Sequence, residues 1–309
     1  MKKPTVIVIC GPTASGKTAL SIELAKRING EIVSADSMQI YKDMDIGSAK
    51  VTPDEMQGIK HYLIDNVCPN VRYSVANYKQ DAKQAIDEII KKGKTPIVVG
   101  GTGLYIDSLI FEIEYKDIEI NEEYREELEK IRDEQGLEVL YKKSLEIDPK
   151  AMQKISPNDF KRITRILEIY EATGKTKTQQ EAESRLNEIP YDYKVFAINY
   201  DREKLYEIKN QRVDIMIEKG LINEVKNLLE KYDEFPTSMQ GLGYKEVKQY
   251  LNEEISYEEM IEKIKQESRR YAKRQFTWFR KNKETKWIDG QADINDNINI
   301  ILEESNIEQ

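Results

Sequence analysis

Gly11, Gly16, Lys17 and Thr18 fill every fixed position of G-x-x-x-x-G-K-[S/T] in the stretch GPTASGKT, directly after the apolar run Val6 to Cys10. Those residue types at that spacing make a loop for phosphate. The glycines let backbone N–H groups converge on phosphate oxygens, and the start of the following helix adds positive potential. Lys17 supplies a cation and Thr18 an oxygen ligand for magnesium. Gly11, Pro12, Thr13, Ala14, Ser15, Gly16, Lys17 and Thr18 are thus the candidate phosphate site. The loop alone does not separate an ATPase, a kinase or another user of phosphates. Asp36, in IVSADSMQIY, ends a short apolar run at a place where sheets of this type hold ligands. Its carboxylate is either a general base for an acceptor group or a cap for the backbone that follows. The water-steering acid that switch and motor ATPases carry at a second strand end is missing, because TPIVVGG ends in Gly100 and Gly101.

These residues need elements to hold them. Residues 5–10 read as a buried strand, and TALSIELAKRI places Leu20, Leu24 and Ile28 at helical spacing. GEIVSADS is a second strand, VANYKQDAKQAIDEIIKKGK a helix ending at Gly93, and TPIVVGG a third strand entered through Pro96. Strands alternating with helices imply an α/β fold with a mostly parallel sheet flanked by helices. From Asn121 to Arg185 the chain reads as charged helix without a strand candidate, and YKVFAINYD (193–201) resumes a β pattern. The expected organisation is an α/β core from residues 1–117 and 192–309 with an inserted all-helical domain, 118–191. Helices follow to Asn282, one of them running from Arg202 to a stop at Gly220, and the last acidic stretch is expected to fray.

With 309 residues and 39% hydrophobic content the chain can build a real core. No apolar run approaches the roughly 18 to 20 residues of a membrane span, so no membrane is expected. MKKPTVIVICGPT reads as the first strand, not as a secretion signal, because its apolar run flows into the glycine loop. Cys10 and Cys68, the two cysteines, show neither a disulfide framework nor metal spacing, which makes a reducing cytoplasm the default. His61, the single histidine, reads as structural. A net charge of −8 does not itself point to nucleic acid, so such a partner needs a locally basic face. Residues 263–283 offer one, with nine Lys or Arg against a single acid. Arg269 with Lys273, and Arg270 with Arg274, are i, i+4 pairs, and Tyr271, Phe276, Trp278 and Phe279 are interleaved. Cations with aromatics suit RNA. The alternative is a solvated helix whose aromatics face the core, since Phe276 and Phe279 are three apart. Lys161, Arg162 and Arg165 form a second basic patch.

Taken together, GPTASGKT, SADSMQIYKDMDIGSAK (34–50), GGTGLY (100–105), NDFKRITRILEIYEATGKT (158–176), GYKE (243–246) and AKRQFTWFR (272–280) resemble one family, the tRNA dimethylallyltransferases, also called tRNA isopentenyltransferases. The resemblance spans nearly the whole chain. It implies a P-loop NTPase-like core and a soluble, magnesium-dependent enzyme, with nothing that demands more than a monomer. The implied reaction moves a dimethylallyl group from dimethylallyl diphosphate to the exocyclic amine of the adenine 3′ of the anticodon in tRNA. The phosphate loop would then hold a leaving diphosphate.

By the same resemblance Asp36 would be the general base and Thr102 would lie beside the reacting centre. Lys17, Thr18 and Arg212 would hold the diphosphate with Mg2+, the metal on Thr18. Ser37, Met38 and Gln39 would line the base pocket. The anticodon stem-loop would be gripped by Arg125, by Lys161, Arg162, Ile163, Thr164 and Arg165, by Gln240, Gly241, Leu242, Gly243, Tyr244 and Lys245, and by Lys273, Arg274, Gln275, Phe276, Thr277, Trp278, Phe279 and Arg280. One departure stands out: where many relatives carry an arginine four residues before the Arg212 position, this chain has Ile208, with Lys209 beside it. A small-molecule kinase would leave both basic patches unexplained, and an RNA-binding NTPase switch would lack its acidic strand end. An enzyme prenylating free adenine nucleotides would not need the inserted helices.

Overall fold

Val6, Ile7, Val8, Ile9 and Cys10 have no exposed surface, as a strand covered on both faces of a parallel sheet requires. The computed structural model describes residues 3–114 and 121–307. It divides into two units, residues up to 110 with those from 190 onward, and residues 111–189. The boundary expected between 117 and 118 lies outside the described residues.

The first unit opens with β1 (Thr5–Cys10), α1 (Lys17–Arg27), β2 (Gly30–Ser34), α2 (Pro53–Met56), β3 (His61–Tyr62), α3 (Val75–Lys91), β4 (Thr95–Gly100) and α4 (Gly103–Ile110). The second unit holds α5 (Glu122–Gln135), α6 (Leu137–Ile147), α7 (Pro149–Met152), α8 (Phe160–Thr173) and α9 (Lys177–Ser184) around Leu128, Leu140, Met152, Ile163, Ile166 and Leu167. The chain then returns to the first unit with β5 (Asp192–Asn199), α10 (Arg202–Glu218), α11 (Leu221–Lys231), α12 (Tyr244–Leu251), α13 (Tyr257–Phe279), β6 (Lys286–Asp289) and α14 (Ile294–Ser305). Short polar caps set many of these starts: Ser74 and Asn77 form a reciprocal capping box on α3, and Asp201 caps α10.

All six strands are parallel, in the order β3-β2-β4-β1-β5-β6. The register decides where the chemistry can be. Cys10 pairs with Gly100 and Ser34 with Val99, so β1, β2 and β4 end together and release their loops on one edge of the sheet. GPTASGKT, ADS and GGTG all leave from that edge, the side on which open parallel sheets bind ligands.

The carboxyl-terminal expectation needs correction. Far from fraying, the tail adds β6 as a parallel edge strand on β5, and α14 buries Ile298, Ile301 and Leu302 in the sheet core with Ile7, Leu24 and Phe196. Acidic residues on the outer face of α14 mask an apolar i, i+3, i+4 stripe that the overall composition hides. Ile301→Ala should therefore lower unfolding free energy by about 2–5 kcal/mol in urea titration, the range for emptying a buried aliphatic site. An unchanged midpoint would detach α14 from the folding unit.

Candidate active site

The phosphate loop leaves β1 at Gly11 and re-enters helix at Lys17, with Gly16 at φ +85° and Ala14 at +69°. Left-handed backbone at the residue before α1 turns the first helical N–H groups toward the loop interior. The loop walls a cavity of about 130 Å³ together with Asp36, Gln39 and Arg212. Lys17 Nζ donates to the Pro12 carbonyl at 2.7 Å. Burial brings its pKa down to about 8, with Asp36 opposing that shift and Arg212 adding to it. The Ser15 hydroxyl is buried and has no hydrogen-bond partner among the described residues.

Asp36 sits where the sheet edge is tightest. The Ala35 N–H donates to the Val99 carbonyl at 2.7 Å, and the Thr102 N–H donates to the Ala35 carbonyl at 3.1 Å. The Ser37 N–H in turn donates to Thr102 Oγ1 at 3.0 Å. Asp36 Oδ1 accepts from the Met38 and Gln39 N–H groups at 2.9 and 3.4 Å. The capping alternative is thus realised with one oxygen, and Oδ2 has no hydrogen bond to another described residue. Thr102, expected beside the reacting centre, is not on the wall of either cavity described here. Its hydroxyl engages Ser37 and lies next to the Tyr271 phenol. That makes it a residue that orients the Asp36 loop.

A larger cavity of about 280 Å³ adjoins the first, and Thr13, Asp36 and Arg212 line both. Its other walls are Ser37 and Met38, the segment Gln240 to Leu242, Lys209, Val213 and Met216 of α10, and Tyr271 and Arg274 of α13. Arg212 donates to the Ser48 carbonyl at 3.4 Å, and burial lowers its pKa against the attraction of Asp36. Burial, reinforced by the Asp36 charge, pushes the Tyr271 phenol up to about 12, so it stays a neutral donor. Val213 and Met216 escaped the reading of the sequence. Their signal was the i, i+4 stripe Leu205, Lys209, Val213 on α10, in which one member is a lysine.

The basic helix α13 resolves into two faces. Arg270, Lys273, Arg274, Thr277 and Arg280 are exposed, with Phe276 half-buried against Trp287. Gln275 and Phe279, expected on RNA, are instead buried. Gln275 Nε2 donates to the Gly101 carbonyl at 2.9 Å and its Oε1 accepts from the Thr13 N–H at 3.4 Å, which ties α13 to the phosphate loop. The Trp278 indole N–H is taken by Asp107 at 2.8 Å, and Arg269 reaches Asn210 at 2.7 Å. Of the 240–245 segment, Gln240 and Lys245 are exposed and Leu242 half-buried, whereas Gly241, Gly243 and Tyr244 are buried. Tyr244 packs with no exposed surface, its hydroxyl on Glu224. In the second unit Lys161 and Arg162 are exposed and Arg165 half-buried. Ile163 and Thr164 point into that unit's core, because positions three and four along α8 from Phe160 fall on its apolar face. Arg125 and Arg165 both engage the buried carboxylate of Glu168, at 2.6 and 3.1 Å. His61, on β3, donates its Nδ1–H to the Ile59 carbonyl at 2.9 Å and is lowered in pKa by burial, in keeping with a structural place.

A phosphate loop on the central strand of an all-parallel sheet, with its cavity opening into a second one, defines an α/β protein with a P-loop NTPase-like fold. The sequence model of one family, described as IPP transferase, matches residues 39–282. The chain belongs to that family. It is 54% identical over 285 residues to a tRNA dimethylallyltransferase of Acetivibrio thermocellus, covering 92% of this chain and 91% of the relative. It is similar in structure to the full-length tRNA isopentenylpyrophosphate transferase of Bacillus halodurans, with a TM-score of 0.73, 41% identity and coverage of 99% and 97%. A eukaryotic dimethylallyltransferase acting on tRNA matches with a TM-score of 0.76 and 32% identity over 93% of this chain and 74% of that one.

Gln275→Leu removes both bonds to the loop region and leaves the Gly101 carbonyl buried without its donor. We expect a loss of about 1–3 kcal/mol in denaturant unfolding. A variant as stable as the parent would mean that these bonds contribute nothing net.

Proposed function

We propose that this chain is a tRNA dimethylallyltransferase that joins the dimethylallyl group of dimethylallyl diphosphate to the exocyclic amine of the adenine 3′ of the anticodon. The observation that carries the reading is Asp36, placed on the wall shared by the phosphate cavity and the larger one. A donor held by its diphosphate in the first cavity directs its reactive carbon into the second, where an acceptor base enters from the side of Met38, Gln240 and Leu242.

Each step needs a group that this chain supplies. The bond between the prenyl carbon and the diphosphate oxygen breaks with its electron pair going to that oxygen. Lys17, Arg212 and the loop N–H groups meet the growing charge, stabilising the transition state more than the bound substrate. The amine nitrogen gives its lone pair to the carbon and loses a proton to Asp36. An exocyclic adenine amine is a weak nucleophile, so alignment and proton removal must supply much of the acceleration. The base has to leave its stack to reach Asp36.

Magnesium fits the site as a hard cation taking oxygen ligands. Thr18 lines the phosphate cavity with Asp36 and Gln39, and its hydroxyl is the kind of oxygen ligand that magnesium takes. An ion with few protein ligands, completed by phosphate and water, matches magnesium's habit. Bound there, it would neutralise charge on the diphosphate. No helix among the described residues is long and apolar enough to cross a membrane, and we place the enzyme in the cytoplasm as a monomer. The exposed cations of α13, with Lys161, Arg162 and Arg125 of the second unit, are the residues we assign to the anticodon stem-loop.

Asp36→Asn keeps an oxygen for the Met38 and Gln39 N–H groups yet cannot accept a proton as a carboxylate does. Incubation with dimethylallyl diphosphate, magnesium and unmodified tRNA, followed by mass analysis of the nucleosides, should show transfer slowed about 10²- to 10⁴-fold with tRNA affinity within a few-fold. Undiminished turnover would remove Asp36 as the base, and no modified adenosine from the parent enzyme would remove the reading. Arg270→Ala with Arg274→Ala should weaken tRNA binding and flatten its dependence on salt, since each lost phosphate contact reduces the slope. An unaltered slope would put the RNA on another face.

A further inference from the structure

We propose that Lys209 is a third cation for the diphosphate, reaching a phosphate oxygen from the larger cavity beside Arg212. This rests on the reading of the small cavity as a diphosphate site. Lys209 is 3% exposed, yet its side chain lines the larger cavity beside Arg212. It makes no hydrogen bond or ion pair to any other described residue. Lysines this deeply buried are ordinarily paired, because an ammonium out of water without a partner is costly.

The surroundings sharpen the anomaly. From α1 it faces the charge of Lys17, and from its own helix that of Arg212, both repelling it. Glu246 of α12 is on the same cavity wall, but it accepts the Gly243 N–H at 2.8 Å and has Lys245 at 3.6 Å. Glu267 of α13 is engaged by Arg270 at 2.6 Å and by Arg274 at 3.9 Å. Tyr271 is neutral, and Asp36 is already shared by Lys17 and Arg212. Of the acids on this cavity wall, Glu246 and Glu267 are engaged by other groups, and the Asp36 charge acts on Lys17 and Arg212 and not on Lys209. The Lys209 position continues the stripe Leu205, Val213, Met216, all buried, so packing alone would be served by an apolar residue of the same length. What the cluster lacks is an anion.

Burial first, then Arg212 and Lys17, bring the Lys209 pKa down to about 7. A phosphate favours the charged form and so raises that pKa in the complex. The sign follows: affinity for the anion is full below about pH 7 and declines as pH rises toward the raised value, with proton uptake on binding between the two.

Calorimetric titration of the full chain with inorganic diphosphate and magnesium tests this without requiring tRNA. At pH 7 Lys209→Met should bind diphosphate about 10- to 100-fold more weakly, the scale of a lost charge-assisted hydrogen bond. Between pH 7 and 9 the parent should lose affinity more steeply than the variant. Ionisation of the diphosphate itself is common to both proteins and cancels in the difference. Lys209→Arg should keep affinity within a few-fold and lose the extra pH dependence, which guards against misfolding of the methionine variant. The ligand-free methionine variant should melt at the parent's temperature or above it, whereas a structural lysine would lower it.

Equal diphosphate affinity and equal pH slopes in parent and Lys209→Met would overturn the assignment, even with tRNA prenylation intact. Diphosphate binding that depends on Lys209 in a protein that fails to prenylate tRNA would uphold it and overturn the acceptor reading instead. A parent that does not bind diphosphate overturns both.

Discussion

A side chain at Gly100 would put its Cβ 2.1 Å from the Ala35 carbonyl oxygen, and the geometry of the site depends on that contact being possible. No side-chain adjustment relieves a clash with backbone. With hydrogen alone at residue 100, the end of β4 closes on the strand exit of β2, and the Thr102 N–H reaches the Ala35 carbonyl. From there the order is local: Thr102 holds the Ser37 N–H, and the turn that follows is held by Asp36 Oδ1. Gly101 extends the same constraint outward, since its Cβ would meet the Gln275 amide at 2.4 Å. The amide takes that space and reaches the phosphate loop as well. One crowded sheet edge therefore fixes the carboxylate, the loop and the helix behind it.

The electrostatics of the site oppose folding and favour an anion. Lys17, Lys209 and Arg212 are held near one another, Asp36 offsets Lys17 and Arg212 but not Lys209, and burial depresses the pKa of each cation. In a low-dielectric pocket the same arrangement that destabilises the ligand-free protein attracts a polyanion strongly. A phosphate loop built for hydrolysis would add an acid to position water, and Asp36 is the one acid among the described residues on the wall of the phosphate cavity. Asp36 lines both cavities, and in the proposed reaction that position would let its carboxylate serve an acceptor group in the larger one.

How much of this was legible follows from the range of each interaction. The phosphate loop is a local spacing of eight residues, and the strand-helix alternation around it is a local periodicity, so both could be read from the chain. Asp36 was legible as a strand-end acid, but whether it capped or catalysed was not, because that depends on the distant Thr102 and on two cavities. The basic face was read as a composition, and composition does not tell faces apart. Gln275 and Phe279 share the basic segment with Arg274 and Arg280 yet lie on its inner side, because α13 packs against the GGTG loop some 170 residues earlier in the chain. Lys209 was visible as a substitute beside Ile208. Its isolation from every carboxylate emerges only when α1, α12 and α13 are assembled around it. The strand β6 and helix α14 were masked by acidic neighbours, whose charges face water while Ile298 and Ile301 face the sheet.

The two faces of α13 have a mechanical consequence. Its inner face is fastened at three points: Gln275 to the phosphate loop region, Trp278 to Asp107 of α4, and Phe279 in the core. Its outer face carries Arg270, Lys273, Arg274 and Arg280, and Arg274 also borders the larger cavity. An RNA backbone seated on the outer face would be referenced to the phosphate loop through a single rigid element and not through flexible side chains. Productive transfer needs the amine and the prenyl carbon within reaction distance while the donor is anchored some way off by its phosphates. A helix that binds one substrate on one side and braces the other substrate's loop on the opposite side fixes that separation by its own diameter. The cationic residues alone would give affinity; their place on a helix pinned by Gln275 is what would give alignment.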